Sequence, residues 1–236
     1  MLRRIVFAGA GLIAFTSVGL AADLPVTARP LPPPPPFSWT GFYIGAQVGY
    51  AAAHDDANID NPVFGIFIPF TVDPRGVIGG GHIGYNYQVG QWVLGVEGTI
   101  DGTSMDKTVF VGICPLFCGT SQTQLGVQGS VRGRVGIAFD RLLLYGTGGV
   151  AIADITNTYN TLPVGGIASI ESTEVGWTAG AGLAYAFTDN WSIRGEYRHS
   201  DFGHFVDKSS VALFPTTNLN RHVTQDQGQI GISYRF

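Results

Sequence analysis

The chain is short of charge. Asp, Glu, Lys and Arg make up 13% of its 236 residues, about half the usual share for a soluble protein. So little charge would cover an aqueous surface thinly. The net charge is −4 and no basic run occurs, so nucleic-acid binding has no footing. Beyond the N-terminal segment, no stretch approaches the ~20 apolar residues that a spanning helix needs. If the chain crosses a bilayer, it must do so as a closed barrel, because lipid cannot satisfy an open sheet edge. There are two cysteines, too few to build a metal site alone. Neither G-x-S-x-G nor H-E-x-x-H occurs, and nothing brings a nucleophile and a base together, so an enzyme is not expected. No cofactor is expected either.

What the chain does have is glycine, 34 residues spread without a G-X-Y period. It also has strict alternation. From Leu125, every second residue reads Leu125, Val127, Gly129, Val131, Gly133, Val135, Ile137, Phe139. The residues between include Gln128, Ser130, Arg132 and Arg134. A period of two over this length is a long β-strand with one apolar face and one charged face. In a soluble barrel the valines would form the core. In a membrane barrel they meet lipid and the arginines fill the lumen.

The remaining chain favours the second arrangement. Residues 1–21 carry the three parts of a secretory signal: Arg3 and Arg4, an apolar stretch, then small residues before Ala22. Residues 22–40 form a leader whose proline run, RPLPPPPPF, is an extended spacer. Residues 41–236 form the barrel. Alternating strands are read near 39–50, 76–89, 92–101, 123–139, 142–153, 175–187, 191–200 and 227–236. The parity of the fifth is open, since Leu142, Leu143 and Leu144 fit both faces. Long loops are expected at 51–75, 102–122, 154–174 and 201–221, with short turns near Gly90, Asp140-Arg141 and Asp189. Strict alternation of long and short connections is the habit of transmembrane barrels, short on the periplasmic side and long outside. Trp92, Phe139, Phe187, Trp191 and Phe236 gather at the short-turn end, with Tyr50 at the other, as an interfacial girdle would place them.

The fold class expected is therefore all-β: an eight-stranded antiparallel transmembrane barrel in an up-and-down meander. The sequence also resembles the OmpA-like eight-stranded outer-membrane barrels, in particular the alphaproteobacterial outer-membrane immunogenic protein branch. The resemblance rests on WTGFYIGAQVGY from Trp39, GGHIGYNYQ from Gly80, GSVRGRVGIAFDRLLLYGTGGVAIA from Gly129, GWTAGAGLAYAFTDNWSIRGEYR from Gly176 and the terminal QIGISYRF. It implies an outer-membrane location with both termini in the periplasm. It also implies recognition of the last strand by the barrel-assembly machinery, through Phe236, Tyr234, Ile232 and Ile230. The peptidoglycan-binding domain of many such relatives is not expected, since the chain ends at its eighth strand.

Candidate sites follow. Glu97, Arg132, Arg134, Arg194, Glu196 and Arg198 face inward and should pair as a lumen charge network, since lone buried charges are costly. Cys114 and Cys118 are expected to form a small disulfide loop in an oxidising compartment. Arg75, Lys107, Lys208 and Arg221 are expected near the outer rim, where they could meet lipopolysaccharide phosphates. His54, His204 and His222 fall in or near outer loops, and some relatives are described as binding hemin. The reading is a surface protein that contributes to envelope integrity and presents loops to a host or surface ligand. The alternatives are a small-solute porin with a narrow lumen and a hemin-binding surface protein.

Overall fold

The computed structural model describes residues 36–61, 66–113, 117–162, 166–207 and 218–236. The expected signal and residues 29–35 of the proline run lie outside the described residues, as does Cys114. Ten strands are present: β1 Gly41–Asn61, β2 Ile66–Val72, β3 Arg75–Val89, β4 Trp92–Thr103, β5 Asp106–Ile113, β6 Phe117–Phe139, β7 Leu142–Leu162, β8 Gly166–Ala186, β9 Trp191–Asp207 and β10 Asn218–Arg235. All neighbours are antiparallel, and β1 pairs with both β10 and β3, which closes the sheet into a barrel.

The ten segments make eight strands around the barrel. The break between β2 and β3 holds only Asp73 and Pro74, and proline offers no amide to a ladder. The break between β4 and β5 holds only Ser104 and Met105. Main-chain bonds bridge both gaps, from Ala53 N to Pro74 O (2.9 Å) and from Leu125 N to Met105 O (3.1 Å). Three tight connections lie at one end. Gly90 (φ 61°) and Asp140 (φ 53°) take the left-handed conformation that two-residue hairpins require.

The four stretches expected as long loops are mostly strand. β1 runs eleven residues past Tyr50, and β6 begins before residue 123. Backbone pairing explains it, for a ladder satisfies its own amides in water as well as in lipid. These extensions do not stay in one ring. Pairing of β8 with β9 ends at Trp177 and Asp201, and on the other side pairing of β3 with β4 and then β5 ends at Arg75 and Asp106. Beyond those points β2, β1, β10 and β9 form one leaf, and β5, β6, β7 and β8 form the other. The two seams lie on opposite sides of the barrel. At one seam Gly203 (φ 74°) sits in a register shift of β9 against β10, and such a bulge bends the strand that carries it.

Burial decides which face looks outward. Val131 is 71% exposed, Ile230 68% and Phe42 63%, whereas Arg132 is 1% exposed and Glu97 2%. The apolar residues form a continuous outer band, and the charged residues lie within. On β7 the open parity resolves with Leu142 and Leu144 outward and Leu143 and Tyr145 inward.

The interior is layered. At the short-turn end Trp39, Val93, Ala138, Leu143, Tyr145, Ala184 and Ala186 pack together. Trp39 enters this layer from the leader; its Nε1 donates to Asp140 O at 3.1 Å and its amide to Gln88 Oε1 at 2.7 Å. The end of the leader is thus a cork in the mouth. The polar layers come next. At the far end a second apolar layer joins Ala51, Ala53, Ile78, Leu125, Ala153, Ile155, Phe202 and Val223.

Candidate functional site

The inward faces of β4, β6 and β9 place the six charges that parity assigns to the lumen. Glu97 and Arg132 are direct cross-strand neighbours. Arg134 follows two residues along β6, and Arg194, Glu196 and Arg198 occupy alternate positions of β9 on the far wall. Arg132 Nη2 donates to Glu97 Oε1 at 2.6 Å, and its Nη1 bonds Glu196 across the lumen. Arg194 Nη1 donates to Glu97 Oε2 at 2.5 Å. Two carboxylates therefore hold three walls together. Each of these side chains is at most 6% exposed.

Residues not singled out as sites complete the network. Tyr43 donates to Glu97 Oε2 (2.8 Å) and Tyr145 to Glu196 Oε2 (3.0 Å). Gln47 accepts from Arg194 and donates to Asp101 Oδ1 at 2.6 Å. Asp101 Oδ2 accepts from Arg198 at 3.3 Å, and Arg198 also reaches Ser130 Oγ at 3.2 Å. Gln128 and Gln225 exchange bonds above them. The lumen parity of β1, β4 and β7 was the available signal for Tyr43, Gln47, Asp101 and Tyr145. Glycines make the room: a Cβ on Gly84 would strike the Tyr43 ring, and one on Gly182 would strike the Tyr145 hydroxyl.

Arg221 corrects the expected rim. It points inward, is 1% exposed and bonds Asp55, with Nη2 also donating to Thr123 Oγ1 at 3.1 Å. A guanidinium enclosed with a carboxylate is not presented to lipid phosphate. Arg75 and Lys107 are exposed on the outer side; Lys208 lies outside the described residues. The outside just beyond the apolar band is instead rich in His–Asp pairs. His54 lies 2.5 Å from Asp73, His199 2.7 Å from Asp226 and His222 3.1 Å from Asp201. Bonds from the Tyr197 hydroxyl and the His199 ring hold the Asp226 carboxyl below its ordinary range. His204 and His222 stack at 4.2 Å. Among the described residues no group of three or more His, Cys, Asp and Glu could hold a metal ion. The expected disulfide cannot be placed, since Cys114 is outside the described residues.

On the last strand, Ile230, Ile232 and Phe236 face outward, and Tyr234 packs edge-on against Trp191 and Phe236 at 5.1 and 5.2 Å. Trp92, Phe139, Phe187 and Trp191 are exposed at the same end.

This inverted barrel agrees with what the sequence matches. Residues 24–236 match the family model described as "Outer membrane protein beta-barrel domain". The chain is 34% identical to the 31 kDa outer-membrane immunogenic protein of Brucella melitensis, over 94% of this chain and 95% of that one. It is 31% identical to the 25 kDa outer-membrane immunogenic protein of Brucella abortus, over 100% and 99%. It is 32% identical to the 22 kDa outer membrane protein of Rhizobium leguminosarum bv. viciae, over 89% and 83%. Among solved structures, the outer membrane protein OprG of Pseudomonas aeruginosa aligns with a TM-score of 0.48 and 14% identity, over 84% of this chain and 96% of that one. Ail, the attachment invasion locus protein of Yersinia pestis, aligns with a TM-score of 0.41 and 16% identity, over 84% and 99%.

Proposed function

We propose that this chain, which belongs to the outer membrane protein beta-barrel family and lies in the outer membrane, is a closed, non-enzymatic barrel that reinforces the envelope and carries two β-leaves to the cell surface. The observation that carries this reading is the filled lumen. Glu97 and Glu196 bind arginines from opposite walls, with an apolar layer on each side. An eight-stranded barrel is just wide enough for side chains to fill. The porin alternative would need a water path through these layers. The hemin alternative would need a free ring nitrogen aimed at iron, whereas both nitrogens of His54 face aspartates, Asp73 and Asp56.

The short turns would face the periplasm and the leaves the exterior, as is usual for such barrels. Phe236 and the outward residues of β10 would serve the barrel-assembly machinery. Arg75 and Lys107 would meet lipopolysaccharide at the outer boundary. The leaves support a contact role, because β8 and β9 carry main-chain edges with no ladder partner beyond Trp177 and Asp201 among the described residues. The immunogenic naming of the Brucella relatives accords with exposure of this part.

Two measurements test the proposal. Purified folded protein in planar bilayers should give no sustained conductance; large steady steps would establish the porin reading instead. Cells lacking the protein should become sensitive to detergent. Resistance should return with the wild type and with a form whose outer hairpins are trimmed. If only the untrimmed form restores it, the leaves, not the wall, carry the envelope role.

A further inference from the structure

The charges of the lumen do not balance. Four buried guanidinium groups, of Arg132, Arg134, Arg194 and Arg198, share the polar layers with three buried carboxylates, of Glu97, Glu196 and Asp101. Three of the arginines lie within 3.3 Å of a carboxylate oxygen. Arg134 does not; its nearest is Glu97, at 3.8 Å. Arg134 Nη1 reaches the Tyr43 hydroxyl at 3.4 Å, and its guanidinium lies 3.5 Å over the Tyr145 ring. Its Nε and Nη2 are buried with no hydrogen-bond partner among the described residues. Unsatisfied donors on a buried charge are the costliest kind to leave unmade.

Arg134 lines a cavity of about 20 Å³ at the short-turn mouth, beneath the cork made by Phe37 and Trp39. Arg235 also lines it. Arg235 Nη2 is bonded to Asp189 O, but its Nη1 is also buried without a partner among the described residues. Tyr43, Asn86, Asn190, Ser192, Arg194 and Ser233 supply the rest of the polar lining, and Asn86 Oδ1 is buried without a partner among the described residues. Among the described residues that line the cavity the one carboxylate, Asp189, bonds Arg141 at 2.7 Å and is 79% exposed.

We propose that this cavity binds one small monovalent anion of the halide class, held between Arg134 and Arg235. The anion supplies the negative charge that the lumen lacks and accepts from both sets of idle N–H groups. Its size follows from the cavity, whose volume suits a particle about as large as one water. A water molecule would satisfy a donor but leave the charge uncompensated. The site joins the leader to the barrel, since Phe37 packs its ring against Arg235 (4.6 Å) and Arg141 (5.0 Å). Anion binding would thus fasten the cork from inside.

The test uses the full chain, folded in detergent micelles. Crystals grown in sodium bromide should show one anomalous peak within hydrogen-bond range of Arg134 and Arg235. In unfolding titrations at fixed ionic strength, with chloride replacing gluconate, the folding constant should rise tenfold for each tenfold of chloride above its Kd. Arg134→Met and, separately, Arg235→Gln should flatten that dependence, whatever each does to stability itself. The proposal fails if the peak is absent and only water occupies the cavity. It also fails if Arg134→Met keeps the full chloride dependence, or if gluconate stabilises as well as chloride does.

Discussion

Glu97→Ala should cost about 3–5 kcal/mol of stability, the usual penalty for removing one partner of a buried ion pair. Glu97 accepts from Arg132, Arg194 and Tyr43 and lies 3.8 Å from Arg134. Without it, Glu196 alone would face three neighbouring guanidinium groups. The loss would be read in urea titrations of protein refolded into lipid vesicles, as a fall in the unfolding midpoint. Asp189→Ala, which breaks an ion pair whose aspartate is 79% exposed, should cost no more than about 1 kcal/mol. Equal losses for the two variants would mean that the lumen network is solvated, and the closed-barrel reading would fall with it.

Val131→Arg tests the outer face in the same assay. Val131 is 71% exposed. On a water-facing surface such a change would usually stay within about 0.5 kcal/mol. On the lipid face near the middle of the apolar band, it should cost about 2–4 kcal/mol. Gln124→Arg, on the exposed outer part of the same strand, should cost little. A neutral Val131→Arg would place that face in water.

Much of this was legible in the residues. The alternation from Val127 to Phe139 set the two faces of β6, and the same parity put Glu97, Arg194, Glu196 and Arg198 inside. Leu125, counted with the valines, is instead 3% exposed in the inner apolar layer, because a register shift between Leu125 and Gln128 breaks the alternation. The outer extensions were hidden because the solvent changes. Past Tyr50, the outward residues His54 and Asp56 are exposed to water while Ala51, Ala53 and Ala57 are buried. The apolar face turns from outside to inside along one unbroken strand. A pattern defined by an apolar exterior therefore stops at the membrane boundary, and the rest reads as loop. Arg221 was misplaced for the same reason, although counting back by twos from Gln229, Gln227 and Gln225 puts it on the lumen side. The partners across the lumen were not legible. Which residues of β4 and β9 meet depends on the stagger of the closed sheet, and no local spacing encodes that.

Spin labels placed one at a time along residues 125–139 would test the inverted barrel most directly. The protein would be reconstituted in vesicles, on a background where Cys114 and Cys118 are serine. Collision with oxygen, which concentrates in hydrocarbon, should be high at positions 127, 131 and 135 and low at 128, 132 and 134. A polar nickel reagent should reach none of the six. If the nickel reagent instead reaches 127, 131 and 135 freely, the valine face lies in water and the barrel is not a membrane barrel.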